Sequence, residues 1–385
     1  MICQSCQEYH GLWRWAIHNI LLKGENYRQL SLSKKMITSN ICNGYGCFLQ
    51  ERDKKMRIRI LSILCFLIAL TVISENIGVA DDEQPKIKAE YVTYSRDNGH
   101  VYRIQVKKNA KPKDISKALN KLSKGTSDGR LNISPNGAWL ILETDRFDAN
   151  GTGETALAIV TGNLKKGDFV YSEGKLIYPT GFGAVSSDGN LIVYPGSGGS
   201  HSQDLWAVVR SDENWSEPLL LTGDSPYQWN DQVAISDDGS KVLFDGGDQP
   251  YAAEGTAICE VGTDGAGFRV VLTPADSPDG YPDTGALHHP DYAPDGSIVF
   301  EADWSGDRIW RLPVGATDPV LVGDFGNDHS PCVLPDGRIV SLWQDRQGNV
   351  NGIHEIKVMS SDGDTYMMLS KKKDVFDIGI GCGGK

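Results

Sequence analysis

A short turn that returns five times constrains this chain more than any other feature. It reads ISPNGAWLIL (133–142), VSSDGNLIVY (185–194), ISDDGSKVLF (235–244), YAPDGSIVF (292–300) and VLPDGRIVSL (333–342). In each copy a β-favouring residue leads through a small residue or proline to Asp or Asn before Gly, and an alternating apolar run follows. Glycine supplies the positive φ of a tight hairpin and Asp or Asn tolerates it next best, so every copy is a strand-turn-strand signal. The turn glycines Gly137, Gly189, Gly239, Gly296 and Gly337 are 52, 50, 57 and 41 residues apart. That is the period of a four-stranded propeller blade with variable loops.

A second strand-like run follows each turn: TALAIV from Thr155, DLWAVV from Asp204, TAICEV from Thr256, RIWRL from Arg308 and HEIKVM from His354. A third run follows four of them, at PLLLTG from Pro218, RVVLT from Arg269, PVLVG from Pro319 and YMMLS from Tyr366. Unrelated hairpins in a β-sandwich are the alternative, and they require no constant period. Composition agrees with an all-β class: the chain has 43 Gly in 385 residues, and its apolar runs are short and bounded by Gly, Asp, Asn or Pro.

The formal charge of −12 is unevenly placed. Residues 1–80 hold ten Lys or Arg against five Asp or Glu, which leaves −17 on the remainder. An acidic body argues against nucleic acid or anionic lipid as partners and leaves cations, sugars and proteins.

Residues 1–55 do not resemble the rest. Cys3, Cys6, Cys42 and Cys47, with His10 and His18, raise a zinc site, but the pairs are loosely spaced and no strand pattern joins them. A non-native or disordered upstream extension is the expectation. Lys54, Lys55, Arg57 and Arg59 then precede the apolar run Ile60–Ile73, and Gly78-Val79-Ala80 closes a polar stretch before Asp81. This is a secretory signal peptide over 56–80, with Met56 as its start. This apolar run of 14 residues falls short of the roughly 20 that span a bilayer. Cys65 lies inside the apolar run, so no lipid anchor is expected. The mature protein, 81–385, is expected to be a periplasmic or extracellular monomer. Its Cys259, Cys332 and Cys382 stand in different repeats, so no disulfide framework is expected.

The segment KAEYVTYSRDNGHVYRIQV (88–106) is again two strands about Asn98-Gly99, but no turn hairpin precedes it. The missing innermost strand is expected in DVFDIGIGCGGK (374–385). Pairing it with Glu90–Ser95 closes the ring and leaves no exposed sheet edge. Five whole repeats and one split repeat predict six four-stranded antiparallel blades.

Small-Pro-Asp-Gly followed by an apolar strand resembles the TolB-like propeller repeat. So do the strand endings TDR (144–146) and QDR (344–346), and Leu221-Thr222 and Leu272-Thr273 at the outer strands. The resemblance covers roughly 88–385 and implies the fold; the same blade serves protein docking, polysaccharide cleavage and peptidase gating. TolB itself carries an α/β domain before its propeller, which is not read here, so the chain is not expected to be TolB proper. The prolyl oligopeptidases add a hydrolase domain with G-x-S-x-G, which GSGGS (196–200) does not match. Oligogalacturonate lyase, a further relative, holds a divalent metal through histidines over the propeller axis.

Innermost strands begin near the channel mouth. Eight residues before each turn glycine stand Gly129, Gly181, Asp231, His288 and His329; the next position holds Arg130, Phe182, Gln232, His289 and Ser330, with Asp377 in the split blade. Hairpin loops on the same face add His201 and Trp304. The expected ligand contacts are therefore Arg130, Gln232, His289, His201 and Trp304, with Arg130 placed to meet a carboxylate across the mouth. Asp231, His288 and His329 are the expected ligands of a single zinc or manganese ion. The loop Asp145–Glu154 has oxygen side chains at calcium-like intervals but lacks the bidentate Glu, and reads better as a solvated hairpin. No nucleophile-base pair or cofactor motif is legible, so catalytic residues are not assigned. The expected function is a non-catalytic module that binds a protein or oligosaccharide; the alternative is a metal-dependent polysaccharide lyase.

Overall fold

The computed structural model describes residues 89–384, except 97, 149–151, 212–213, 251, 253, 324–325, 345–354 and 370–378. The proposed upstream extension, the signal peptide and Asp377 therefore lie outside the described residues. The fold is an all-β propeller of four-stranded antiparallel sheets. Among the described residues the strands fall into five four-stranded sheets and one of seven strands.

The terminal sheet runs Ile380–Gly384, Glu90–Ser95, Val101–Gln105, Lys113–Asp114, joining two segments distant in sequence. The second runs Asp128–Ile133, Trp139–Thr144, Ala156–Thr161, Gly167–Phe169, and the third has its core in Ala184–Val185, Leu191–Gly196, Asp204–Ser211 and Leu219–Leu220. Trp229–Ile235, Lys241–Gly247, Ala257–Gly262 and Arg269–Leu272 form the fourth. Leu287–Tyr292, Ile298–Ala302, Arg308–Leu312 and Val320–Leu321 form the fifth, and Asp328–Val333, Ile339–Trp343, Glu355–Met359 and Tyr366–Met368 the sixth. The third sheet also carries small outer strands, Tyr171–Ser172, Lys175–Leu176 and Asn214–Trp215, for which the sequence gives no repeat signal.

The repeated turn takes the expected form. All five turn glycines have φ between 70° and 86°. The preceding Asp or Asn accepts from the N–H two residues on, as in Asp238 Oδ1 from Ser240 at 3.0 Å and Asp336 Oδ1 from Arg338 at 3.0 Å. The side chain thus closes the turn that the backbone makes.

Each second strand is buried on both faces. Leu140 and Leu142 pack with Val101, Ile115 and Ile133, whereas Ile141 between them packs with Val185 and Ile192. Likewise Val242 and Phe244 join one core and Leu243 the next. The period of two therefore feeds two inter-sheet cores from one strand, so these strands carry unbroken apolar runs rather than the expected alternation. A fully buried ring such as Phe244 contributes about 1.5–3 kcal/mol by removal from water.

In the Lys-rich segment 107–124, Lys113–Asp114 is the outer strand of the terminal sheet, and Asp114 then caps the short helix Ile115–Leu119 by accepting the Lys117 N–H at 2.7 Å. No helix among the described residues is long and apolar enough to cross a membrane.

Two of the three cysteines of 81–385 pair, against expectation. Cys332 and Cys382 form a disulfide with Cα atoms 5.6 Å apart, while Cys259 is free and buried. Distance in sequence misled: equivalent positions of neighbouring repeats stand side by side around the channel. A bridge over 50 residues stabilises by about 4 kcal/mol in the chain-entropy account.

Candidate functional site at the channel mouth

The inner strands of all six sheets line one channel of about 440 Å³. At its mouth a single backbone device recurs. Pairing of the first two strands skips between Gly129 and Asn132, Asp231 and Ala234, His288 and Asp291, and His329 and Cys332. Inside each skip one non-glycine residue adopts the left-handed conformation: Arg130 at φ 48°, Gln232 at 55°, His289 at 51° and Ser330 at 46°. Such backbone costs about 1–3 kcal/mol per residue and persists where surrounding structure imposes it, commonly at functional sites. A bulge also re-aims a side chain that regular pleating would send between sheets. Gln232, His289 and Ser330 accordingly line the channel, together with Phe182 from the third sheet.

The fifth sheet supplies the centre of the polar wall. Glu301 is 7% exposed and faces two imidazoles, with Oε2 3.1 Å from His289 Nδ1 and Oε1 3.1 Å from His329 Nδ1. It also accepts the Ser330 N–H at 2.8 Å. Burial alone raises its pKa, but these hydrogen bonds and the imidazole charges outweigh burial and hold the carboxyl well below the usual range. His289 Nε2 lies 3.3 Å from Ser330 Oγ, and His329 Nε2 lies 3.6 Å from Asp307 Oδ2. His288 Nδ1 lies 3.0 Å from Asp245 Oδ2. Burial opposes its charge, yet Asp245 prevails and raises the imidazole to about 8. Asp231 accepts the Gln232 N–H at 2.8 Å, and burial followed by the nearby Asp245 pushes it up to about 6. Gln232 is itself 8% exposed, and its buried Nε2 has no hydrogen-bond partner.

Ligand-like spacing gathers His329 with Glu301 and Asp307, whose donor atoms lie within 4.8 Å of one another. Of the expected metal trio, His288 instead faces Asp245, and Asp231 caps the Gln232 backbone. Three expected ligand contacts are also placed elsewhere. The Arg130 Nη1 donates to Glu143 Oε2 at 2.8 Å and to the Pro179 carbonyl at 2.9 Å, which draws the guanidinium toward the next sheet. His201 closes its own turn, with Nδ1 and backbone N at 2.8 and 2.9 Å from the Asp204 carboxylate. Trp304 is 1% exposed; its ring packs edge-on against Phe300 and Trp310 and donates to the Pro274 carbonyl at 3.0 Å. In the calcium-like loop, Asp148 accepts from Thr152 Oγ1 and the Gly153 N–H at 2.8 and 2.9 Å, the bonds of a self-closed hairpin.

Asp245, Glu301 and Asp307 are not among the expected mouth residues: Asp245 and Glu301 stand on second strands, and Asp307 lies in the hairpin loop from which Trp304 alone was expected at the mouth. A signal was present: an acidic residue interrupts the buried apolar runs KVLFD and IVFEA.

No protein-family model matches the chain, and no curated protein does. Solved structures do. TolB from Acinetobacter baumannii superposes with a TM-score of 0.54 at 12% identity, over 77% of this chain and 67% of that one. Hydrazine synthase of Kuenenia stuttgartiensis gives 0.50 at 14% identity, over 79% of this chain and 48% of that one, so the chain spans about half its length. The class defined by fold and channel is the β-propeller. Within it, the chain is similar in fold to TolB, and at such identities the likeness concerns fold alone.

Proposed function

We propose that the chain is an exported, six-bladed binding propeller that takes a protein or carbohydrate ligand at its channel mouth without catalysing a reaction. In this reading residues 1–55 are an upstream extension, 56–80 a signal peptide, and 81–385 a ring closed by the terminal sheet. The observation that carries it is the bulged collar: Gln232, His289 and Ser330 hold a costly backbone conformation that turns side chains toward the channel. Pairing of Val92 with Cys382 and of Tyr91 with Gly383 supports the closure.

A second reading is a metal-dependent polysaccharide lyase resembling oligogalacturonate lyase. It is favoured by the imidazoles of His288, His289 and His329, each with Nδ1 on a buried carboxylate, the arrangement that orients Nε2 toward a metal. His329, Glu301 and Asp307 would hold one zinc or manganese ion, and the ion would act as a Lewis acid on a uronate carboxylate.

Incubation of the mature protein with uronate oligomers, with and without added zinc or manganese, separates the two readings. The binding reading expects no unsaturated product under any condition; product that vanishes in His329→Ala overturns it. N-terminal sequencing tests export, and a purified protein that begins upstream of Asp81 removes the signal peptide from the account.

A further inference from the structure

The collar has an aromatic side as well as a polar one. Phe182 enters from the third sheet and its ring reaches across the inner strand of the second to Gly379, beside the terminal sheet. A Cβ at Gly379 would fall within the space of ring atoms Cζ, Cε1 and Cε2. Between the two, Asn132 donates through Nδ2 to the Gly183 carbonyl at 2.8 Å and abuts Gly381. The half-buried Phe182 ring therefore covers one side of the channel. Gln232, His289, Asp291 and Ser330 line it from the fourth, fifth and sixth sheets.

We infer that this channel binds the terminal unit of a neutral oligosaccharide, with Phe182 as stacking platform and Gln232, His289 and Ser330 as its polar contacts. The inference rests on the binding-module reading and names its ligand class. Three observations carry it. The unpaired Gln232 amide is a donor that requires an acceptor, and the Ser330 hydroxyl in the same wall can donate or accept; a ligand hydroxyl is donor and acceptor at once, so a polyol matches both. A channel of about 440 Å³ has the size of a small-molecule site and admits one end of a chain. An extended peptide binds by adding to a regular strand edge, whereas four of the six inner strands, each an edge strand facing the channel, are broken by a bulge. Anionic sugar is disfavoured by Glu301, Asp231 and Asp307 about the mouth and by the formal charge of −12.

Isothermal titration of the mature protein with cellotriose, maltotriose and mannotriose, beside trigalacturonate and trialanine, provides the test. At least one neutral trisaccharide is expected to bind. Phe182→Ala should weaken it about tenfold or more and Gln232→Ala about fivefold. Phe182→Leu, which keeps most of the volume, guards against loss of fold and should still weaken binding. Binding of trialanine or trigalacturonate alone overturns the saccharide assignment while leaving a binding module. Absence of heat with all five, or equal affinity in parent and variants, overturns the inference outright, whereas the binding-module reading falls separately, on formation of unsaturated product.

Discussion

The two sides of the channel are built by different physics. On the side of the fourth, fifth and sixth sheets, positions are fixed by charge-assisted hydrogen bonds: Glu301 alone engages His289, His329 and Ser330. On the side of the third and terminal sheets, Phe182 is fixed by packing against a glycine that leaves it room. The first kind of wall depends on protonation and on every partner being present; the second depends on volume. One ring can therefore carry a tunable face and an inert one.

The largest effect should come from removing the hub of the polar side. Glu301→Ala leaves two imidazoles and the Ser330 N–H without their carboxylate, so a loss of about 3–5 kcal/mol is expected in urea unfolding. A loss below about 1 kcal/mol would mean that the histidines are held by something else.

Next is the pH response, which only the polar side should show. The Asp231 carboxyl is raised to about 6, so its contribution is complete below the unfolded value near 4 and is lost as pH rises through 6. His288, raised to about 8 by Asp245, contributes below about 6.5 and loses that as pH passes 8. Asp231→Asn should therefore gain on the parent between pH 4 and 7, by about 3 kcal/mol at most. Parallel stability-pH curves for the two proteins would remove Asp231 from the account.

On the apolar side, Gly379→Ala should push the Phe182 ring aside and cost about 1–3 kcal/mol, independent of pH. A cost that changes between pH 5 and 8 would break the distinction between the two walls. The smallest effect is expected at Gln232→Gly. Relief of the left-handed backbone is offset by glycine's greater chain entropy, so a gain within about 1 kcal/mol in thermal unfolding is the expected result. A clear destabilisation would show that the collar is not strained.

The sheets were legible in the sequence because turn chemistry is local: Asp or Asn before Gly dictates its own conformation. Counting back eight and seven residues from those glycines also found the bulged residues in four sheets, since the distance from bulge to turn is constant. Glu301 and Asp245 escaped because they stand on second strands, and only the neighbouring sheet brings a histidine to each. Trp304 was misassigned for the opposite reason. It follows a strand and reads as loop, yet its ring folds back into a core with Phe300 and Trp310. The Cys332–Cys382 bridge likewise depends on which repeats become neighbours, a fact no single repeat contains.

The terminal sheet also has a consequence in time. Thr93 bonds to Gly381 across a separation of 288 residues, so its strand stays unpaired on that side until nearly the whole propeller has been made. Contacts so distant in sequence form slowly, and an open strand edge invites pairing with other chains in the interval. The last strand to arrive also brings Cys382 to Cys332, so oxidation at that moment makes a late and weakly nucleated step hard to reverse. Maturation is thus expected to depend on how quickly a short glycine-rich strand finds an edge formed long before it.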